Sequence, residues 1–397
     1  MKSRPRVRPM EERLAQTGLA NDLAVVTSHR SDPAAAVAEV VAGVGRRALA
    51  GGLLFCSHRY PREPLARALA GRFGGIPLIG CTSAGELSQR GYDEDSLVFI
   101  GFPAADFRMA LHCFDDLDRF DPVIGREAIR RLATGLAEVE LDCGFAPRPN
   151  RAAIFLVDGL SHREELLAMT VQEALGETPL VGGSSGDGMR FHETGILVGD
   201  RFLRDAAVVA LLSSRRPMQA FTANHYLPGA EKMVVTAADP AARMVHQINA
   251  RPAADEYLRL AGRTGEQLDA AFFAAHPPMV RAGGGYHVRS IQSVNPDGSL
   301  TFYCAIDNGI VLSIGEPVDR VSQLERLFDG IEAGLGGIDH VIGFDCVLNR
   351  IDAERRQLQR AVSDLYARRG VVGFNTYGEQ FRAAHINQTL SGLAIGR

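Results

Sequence analysis

Tryptophan is absent from this chain of 397 residues. Cysteine is scarce, with six residues at Cys56, Cys81, Cys113, Cys143, Cys304 and Cys346, and no two of them form a CxxC pair. That spacing excludes a zinc knuckle and a disulfide scaffold, and the lack of CxxCH excludes covalent haem attachment. Scattered thiols suit a reducing compartment, so the cytoplasm is the expected location. No apolar run is long enough to cross a bilayer, and no early segment resembles a signal peptide. Neither sign of charge dominates: the formal net charge is -4, which argues against general nucleic-acid binding. No Gly-Lys-Ser/Thr ending is present, so a P-loop is excluded.

What remains is the balance of a globular protein, with 46% apolar and 23% charged residues. The length suggests two or three domains. Lys2, Arg4, Arg6 and Arg8 make a small basic tail. Residues 1–20 are expected to be disordered, because charge-rich ends without apolar residues rarely pack. The stretch from Ser213 to Lys232 is the best domain boundary, dividing residues 21–225 from 226–397.

One pattern occurs three times: Pro77-Leu78-Ile79-Gly80-Cys81-Thr82-Ser83-Ala84-Gly85-Glu86, Pro179-Leu180-Val181-Gly182-Gly183-Ser184-Ser185-Gly186-Asp187, and Val371-Val372-Gly373-Phe374-Asn375-Thr376-Tyr377-Gly378-Glu379. The first and third align without a gap. The second fits if its glycine-acid pair, Gly186-Asp187, comes one residue early. Each copy is preceded by an apolar run and a helical stretch and followed by another apolar run, so the repeated unit reads strand, helix, strand, glycine loop, strand. Asp297-Gly298 between two alternating runs predicts a hairpin. Lys232–Thr236 and Arg243–Ile248 read as further strands and Ala253–Leu260 as a helix. The expected class is α+β: repeated units forming two mixed sheets with helices packed outside, since hairpins demand antiparallel pairing.

Gly182-Gly183-Ser184-Ser185-Gly186 matches the G-x-S-x-G nucleophile elbow of hydrolases. The other copies put Thr82 and Asn375 where Ser184 stands, so the glycines are explained by the turn itself. Alternation in His385-Ile386-Asn387-Gln388-Thr389 puts His385, Asn387 and Thr389 on one strand face, as a pocket wall or an internal hydrogen-bond network. The ungapped alignment sets them against Tyr92, Glu94 and Ser96, so their chemistry is not demanded by the repeat. His246 is expected to share a strand face with Met244 and Ile248, and His225 with Phe221, Ala223 and Leu227.

The run Gly80–Glu86 after an apolar strand resembles the N-terminal half of FIST sensory domains. Gly373–Gln380 followed by His385–Thr389 resembles the C-terminal half, as do Asp297–Leu300 with Phe302-Tyr303 and the Phe344-Asp345-Cys346 strand. The likeness runs from about residue 22 to the end. Stand-alone FIST proteins of this length resemble a nitric-oxide-sensing class. That resemblance implies a non-enzymatic sensor carrying haem b and acting on a partner histidine kinase or on a diguanylate cyclase or phosphodiesterase of cyclic-di-GMP. A b-type haem needs a neutral axial His in an apolar cavity. His246 and His225 are the leading metal ligands, with His385 third. Met244, Ile248, His385, Asn387 and Thr389 stand as cofactor-binding residues. A FIST module that binds a small ligand such as an amino acid without haem is the alternative, and a hydrolase using Ser184 the third reading.

Overall fold

The computed structural model describes residues 22–145, 149–282 and 284–397. The basic tail lies outside them. The chain runs through three copies of one unit. The first is β1 (Ala24–Ser28), α1 (Pro33–Val44), β2 (Leu49–Ser57), α2 (Arg62–Phe73), β3 (Leu78–Ser83), the hairpin β4 (Glu86–Ser88) and β5 (Gly91–Asp93), and β6 (Leu97–Pro103). The second is β7 (Phe107–Phe114), α3 (Pro122–Asp142), β8 (Asn150–Val157), α4 (Glu164–Leu175), β9 (Leu180–Ser184), the hairpin β10 (Ile196–Val198) and β11 (Arg201–Leu203), and β12 (Ala207–Ser214).

The third copy opens with β13 (Met218–Asn224), and the chain then leaves it for an inserted subdomain. This comprises β14 (Tyr226–Asp239), β15 (Met244–Ile248), β16 (Arg251–Pro252), α5 (Ala253–Leu260), α6 (Ala270–Ala275), β17 (Pro278–Ala282), β18 (Gly285–Val288), β19 (Ile291–Val294), β20 (Leu300–Phe302) and β21 (Val311–Pro317). The copy resumes with α7 (Arg320–Leu335), β22 (Ile338–Cys346), α8 (Val347–Arg355), α9 (Gln359–Arg368), β23 (Val371–Thr376), the hairpin β24 (Glu379–Phe381) and β25 (Ala384–Ile386), and β26 (Thr389–Gly396). Aspartates start several of these helices: Asp32, Asp121, Asp269 and Asp319 each accept a first-turn N–H, a cap that contributes about 1 kcal/mol.

The α+β class and the repeated unit stand as read from the sequence. The sheets number four among the described residues rather than two, because each repeat gives its hairpin away. Hairpin β4–β5 pairs with β23 of the third repeat. Hairpin β10–β11 pairs with β3 of the first, and β24–β25 with β9 of the second. Three six-stranded sheets result, each completed by a neighbour, and the exchange closes on itself. Within each, only the two strands flanking the helical crossover are parallel. The inserted subdomain forms the fourth sheet, all antiparallel.

The sheets turn their inner faces to one shared core. Phe55 of the first repeat packs on Phe374 and Phe344 of the third at 4.7 and 6.3 Å between ring centroids, beside Ile154, Leu156 and Val181 of the second. Helices cover the outer faces with separate apolar clusters. Complete burial of each such side chain is worth about 1.5–3 kcal/mol, so no repeat keeps its inner face dry alone.

The first glycine of the pattern has one reason in all three copies. A Cβ on Gly80, Gly182 or Gly373 would lie 2.0, 1.8 or 1.9 Å from the carbonyl oxygen of the parallel neighbour. Just beyond, three backbone bonds link the copies in a ring: Ala84 N to Asn375 O at 3.0 Å, Gly186 N to Thr82 O at 3.0 Å, and Tyr377 N to Ser184 O at 3.2 Å. Each is answered: Asn375 N donates to Gly85 O, Thr82 N to Gly195 O, and Ser184 N to Gly378 O. This corrects the alignment of the second copy. Gly195-Ile196, not Gly186-Asp187, occupies the place of Gly85-Glu86 and Gly378-Glu379, and residues 187–194 are an insertion.

Glu86 and Glu379 are wholly buried. Each carboxyl accepts the N–H and hydroxyl of the residue opening the return strand, Ser96 or Thr389, and meets the hydroxyl of Ser83 or Thr376. Burial pushes Glu86 up to about 7 and Glu379 up to about 8. Ser83 already gives its hydrogen to Cys56 O at 3.1 Å, so a protonated Glu86 supplies the hydrogen between them. A carboxyl raised above its unfolded value of 4.5 contributes stability that is whole below that pH and lost as pH rises through 7 and 8. Unfolding measured from pH 5 to 9 is expected to lose up to about 1.4 kcal/mol per pH unit for each group. Glu86→Gln with Glu379→Gln should flatten that slope; an unchanged slope would refute the assignment.

Candidate functional site

The ring creates three equivalent junctions, each where a hairpin glycine meets the next repeat. At the first, a Cβ on Gly85 would fall 2.4 Å from Arg350 Nη1 of α8. At the second, a Cβ on Gly195 would fall 3.1 Å from Arg62 Cδ of α2. An arginine from the receiving repeat thus covers the glycine at both. Arg350 is held by Glu94 and Glu354, and Arg62 by Glu193 and Thr194 O.

The third junction is built differently. The arginine at the start of the second repeat's helix, Arg163, points away and donates to Asp118 Oδ1 at 3.1 Å. Over Gly378 lie two side chains of its own hairpin: its Cβ position is 2.8 Å from His385 Nε2 and 2.9 Å from Asn387 Nδ2. Both atoms are buried and without a hydrogen-bond partner, as is Gln380 Oε1. Gln380 Nε2 holds Ser184 Oγ at 2.9 Å and His385 Nδ1 at 3.0 Å. With Nδ1 accepting, Nε2 carries the ring hydrogen. Burial lowers the His385 pKa, with Glu165 and Glu164 opposing and Arg243 and Arg289 assisting, so the imidazole is neutral.

The inserted subdomain closes this junction. Arg243 Nη2 reaches Glu164 at 2.7 Å and Glu165 at 2.6 Å, at the head of α4. Ala305 N donates to Glu165 Oε1 at 2.7 Å. Ser290 N reaches Asn387 Oδ1 at 3.4 Å, and Val288 bridges the Asn387 backbone. Arg289 Nη1 and Tyr303 Oη are again buried without partners. Each orphan group costs about 1–3 kcal/mol while unmet, and native folds rarely leave several together.

Family profiles fit this chain over most of its length: that of the FIST N domain matches residues 51–251 and that of the FIST C domain residues 253–382. The chain belongs to the FIST family. FIST domains are sensor domains of signal transduction. Among curated proteins, no sequence matches. The two FIST halves divide inside the inserted subdomain, between β16 and α5, so both contribute to the Gly378 junction. No helix of the described residues is long and apolar enough to cross a membrane.

The structure distributes the sequence-derived residues unevenly. His385 and Asn387 meet over Gly378. Thr389 turns away to Glu379, because the strand breaks at Gln388, whose φ is +48°. His246 is exposed while Ile248 is buried, so these two and Met244 do not line one cavity. His225 is buried between β13 and β14, its Nδ1 against Gln323 Oε1 at 2.8 Å and its Nε2 unpartnered. Haem finds no apolar slot at His385, where Asn387, Gly378 and a ring hydrogen face the free side of the imidazole. At His225, the tautomer with Nδ1–H donating to Gln323 Oε1 leaves a bare Nε2 lone pair of the kind iron needs. Among the described residues, no three His, Cys, Asp or Glu side chains gather as a metal site. Ser184 is buried and no helix follows it, so the strand-to-helix setting of a nucleophile elbow is missing. Arg243, Arg289 and Glu164 escaped sequence reading as site residues, being far from His385 along the chain and in no motif.

The junction comparison has a direct test. Arg350→Ala and Arg62→Ala should each lose about 1–3 kcal/mol in urea unfolding, whereas Arg163→Ala, an exposed pair, should stay within about 0.5 kcal/mol. Equal losses at all three would refute the distinction.

Proposed function

We propose that this FIST protein senses a small polar ligand that meets Gln380, His385 and Asn387 at the third junction and reports it to a separate signalling protein. The observation that carries this reading is the cluster of unpartnered buried atoms on Gln380, His385 and Asn387 at the one junction without a covering arginine. A ligand there would touch the second repeat, the third repeat and the inserted subdomain together. It would favour the closed arrangement by its differential affinity for it. The recipient in this reading is a partner histidine kinase or an enzyme of cyclic-di-GMP turnover, and the sensor acts without catalysis of its own. Six unpaired cysteines support a cytoplasmic setting.

The test is a thermal-shift screen of small polar metabolites, read by circular dichroism. A ligand at a hundred times its Kd should add about 2.7 kcal/mol, or about 3 °C for a chain this long. His385→Ala and Asn387→Ala should abolish that shift. A ligand that shifts both variants as it does the parent would overturn the site.

A second reading, haem-based nitric oxide sensing, is favoured by the bare Nε2 of His225, which burial holds at a pKa of about 3 and hence neutral. Bound there, haem would supply the gas-binding iron, with Gln323 fixing the imidazole. Hemin titration should then give a Soret band distinct from free hemin and altered in His225→Ala. An identical spectrum in that variant would remove the reading.

A further inference from the structure

Away from the junctions, a cleft of about 490 Å³ lies between the inserted subdomain and α8. The ladder of β14 with β21 slips between Pro228 and Lys232, so Gly229, Ala230 and Glu231 stand against Ile314 alone. This bulge, the ends of α5 and α6, and the last turn of α8 all line the cleft. Its volume falls within the roughly 300–1,000 Å³ of small-molecule sites, which favour such interfaces.

Asp352 is the buried charge of the cleft, at 3% exposure. Its one partner within ion-pair distance among the described residues is Arg356, at 3.5 Å. That is longer than the roughly 2.7–2.9 Å of a charge-assisted hydrogen bond, and a carboxylate offers about four lone-pair sites. Burial raises the Asp352 pKa, with Arg356 and Arg320 opposing. His276 is an acceptor too. Its Nδ1 lies 3.2 Å from Phe272 O. A carbonyl only accepts, so Nδ1 carries the hydrogen and Nε2 keeps its lone pair.

Glu231 and Glu316 line the same cleft and are exposed. Neither has a cation within ion-pair distance among the described residues. The arginines of the cleft are engaged: Arg263 with Glu266, Arg355 with Ala271 O at 2.9 Å, and Arg356 with Asp352. The spare hydrogen-bonding capacity is therefore that of acceptors, and the spare charge is negative. An ammonium group answers both, bringing three donors and a positive charge. Leu260, Ala261 and Ile314 add an apolar lining suited to methylene groups.

We propose that this cleft is a second binding site, for an aliphatic diamine. One ammonium sits on Asp352 and His276, the methylene chain on Leu260 and Ile314, and the other ammonium on Glu231 and Glu316. The site shares no residue with the third junction and stands independently of the reading given for it. A diamine held there joins the inserted subdomain to α8.

Calorimetric titration of the full chain with putrescine, butylamine and γ-aminobutyrate, near neutral pH and at constant ionic strength, tests this. Putrescine should bind more tightly than either of the others by about tenfold or more. Asp352→Asn should weaken putrescine by about tenfold or more with an unchanged circular dichroism spectrum. Glu231→Gln with Glu316→Gln, both at exposed positions, should weaken putrescine but not butylamine and so erase the preference. Should Asp352→Asn fail to fold, the double variant still decides. Butylamine or γ-aminobutyrate binding as tightly as putrescine overturns the proposal, as does the absence of putrescine binding at millimolar concentration. Putrescine binding that is unchanged in the double variant or in folded Asp352→Asn overturns it as well.

Discussion

Three backbone hydrogen bonds in a ring hold this molecule to its plan: Ala84 to Asn375, Gly186 to Thr82, and Tyr377 to Ser184. Each joins one repeat to the next, and each is placed by a glycine that lets a strand lie against its parallel neighbour. Because the partner of every loop lies in another repeat, no sheet is complete by itself. The shared core follows from the same constraint, since the hairpins that complete the sheets also turn the inner faces of Phe55, Ile154 and Phe344 together.

The ring also explains why the third junction differs from the other two. Three equivalent junctions must each be filled, and two are filled by arginine. The third is left to His385, Asn387 and Gln380, with the inserted subdomain as its lid. Arg243 ties that subdomain to the head of α4 through Glu164 and Glu165, so the second repeat, the third repeat and the inserted subdomain meet at this junction. A sensor requires that coupling, because a ligand can shift only those contacts it makes differently in two states.

Two buried carboxyls, Glu86 and Glu379, show how far the repeat is kept and where it departs. Each stitches its loop to the return strand in the same way. The second repeat has Ile196 at that place and instead uses Asp158, which accepts from Asp205 N at 2.8 Å and from the Thr194 hydroxyl. The substitution accompanies residues 187–194, which carry Asp187 to the Tyr377 hydroxyl. Compensation thus keeps the strand ends tied while freeing a loop.

The sequence by itself determined the repeat, the α+β class and the strand order within each unit, because periodicity and glycine spacing are local properties of the chain. It also marked His385 and Asn387, since they differ from Tyr92 and Glu94 at the matching places. It misplaced the second copy's glycine, because an insertion between aligned residues leaves no local signal. It set His246 beside Ile248, where the folded strand separates them. Only the tertiary structure decided which repeat receives each hairpin, since a hairpin pairs as readily with its own sheet as with a neighbour's until the core is packed. Only it brought Glu164, Arg243 and Arg289 to His385, because contacts between residues this far apart in the chain are set by packing and not by sequence neighbours.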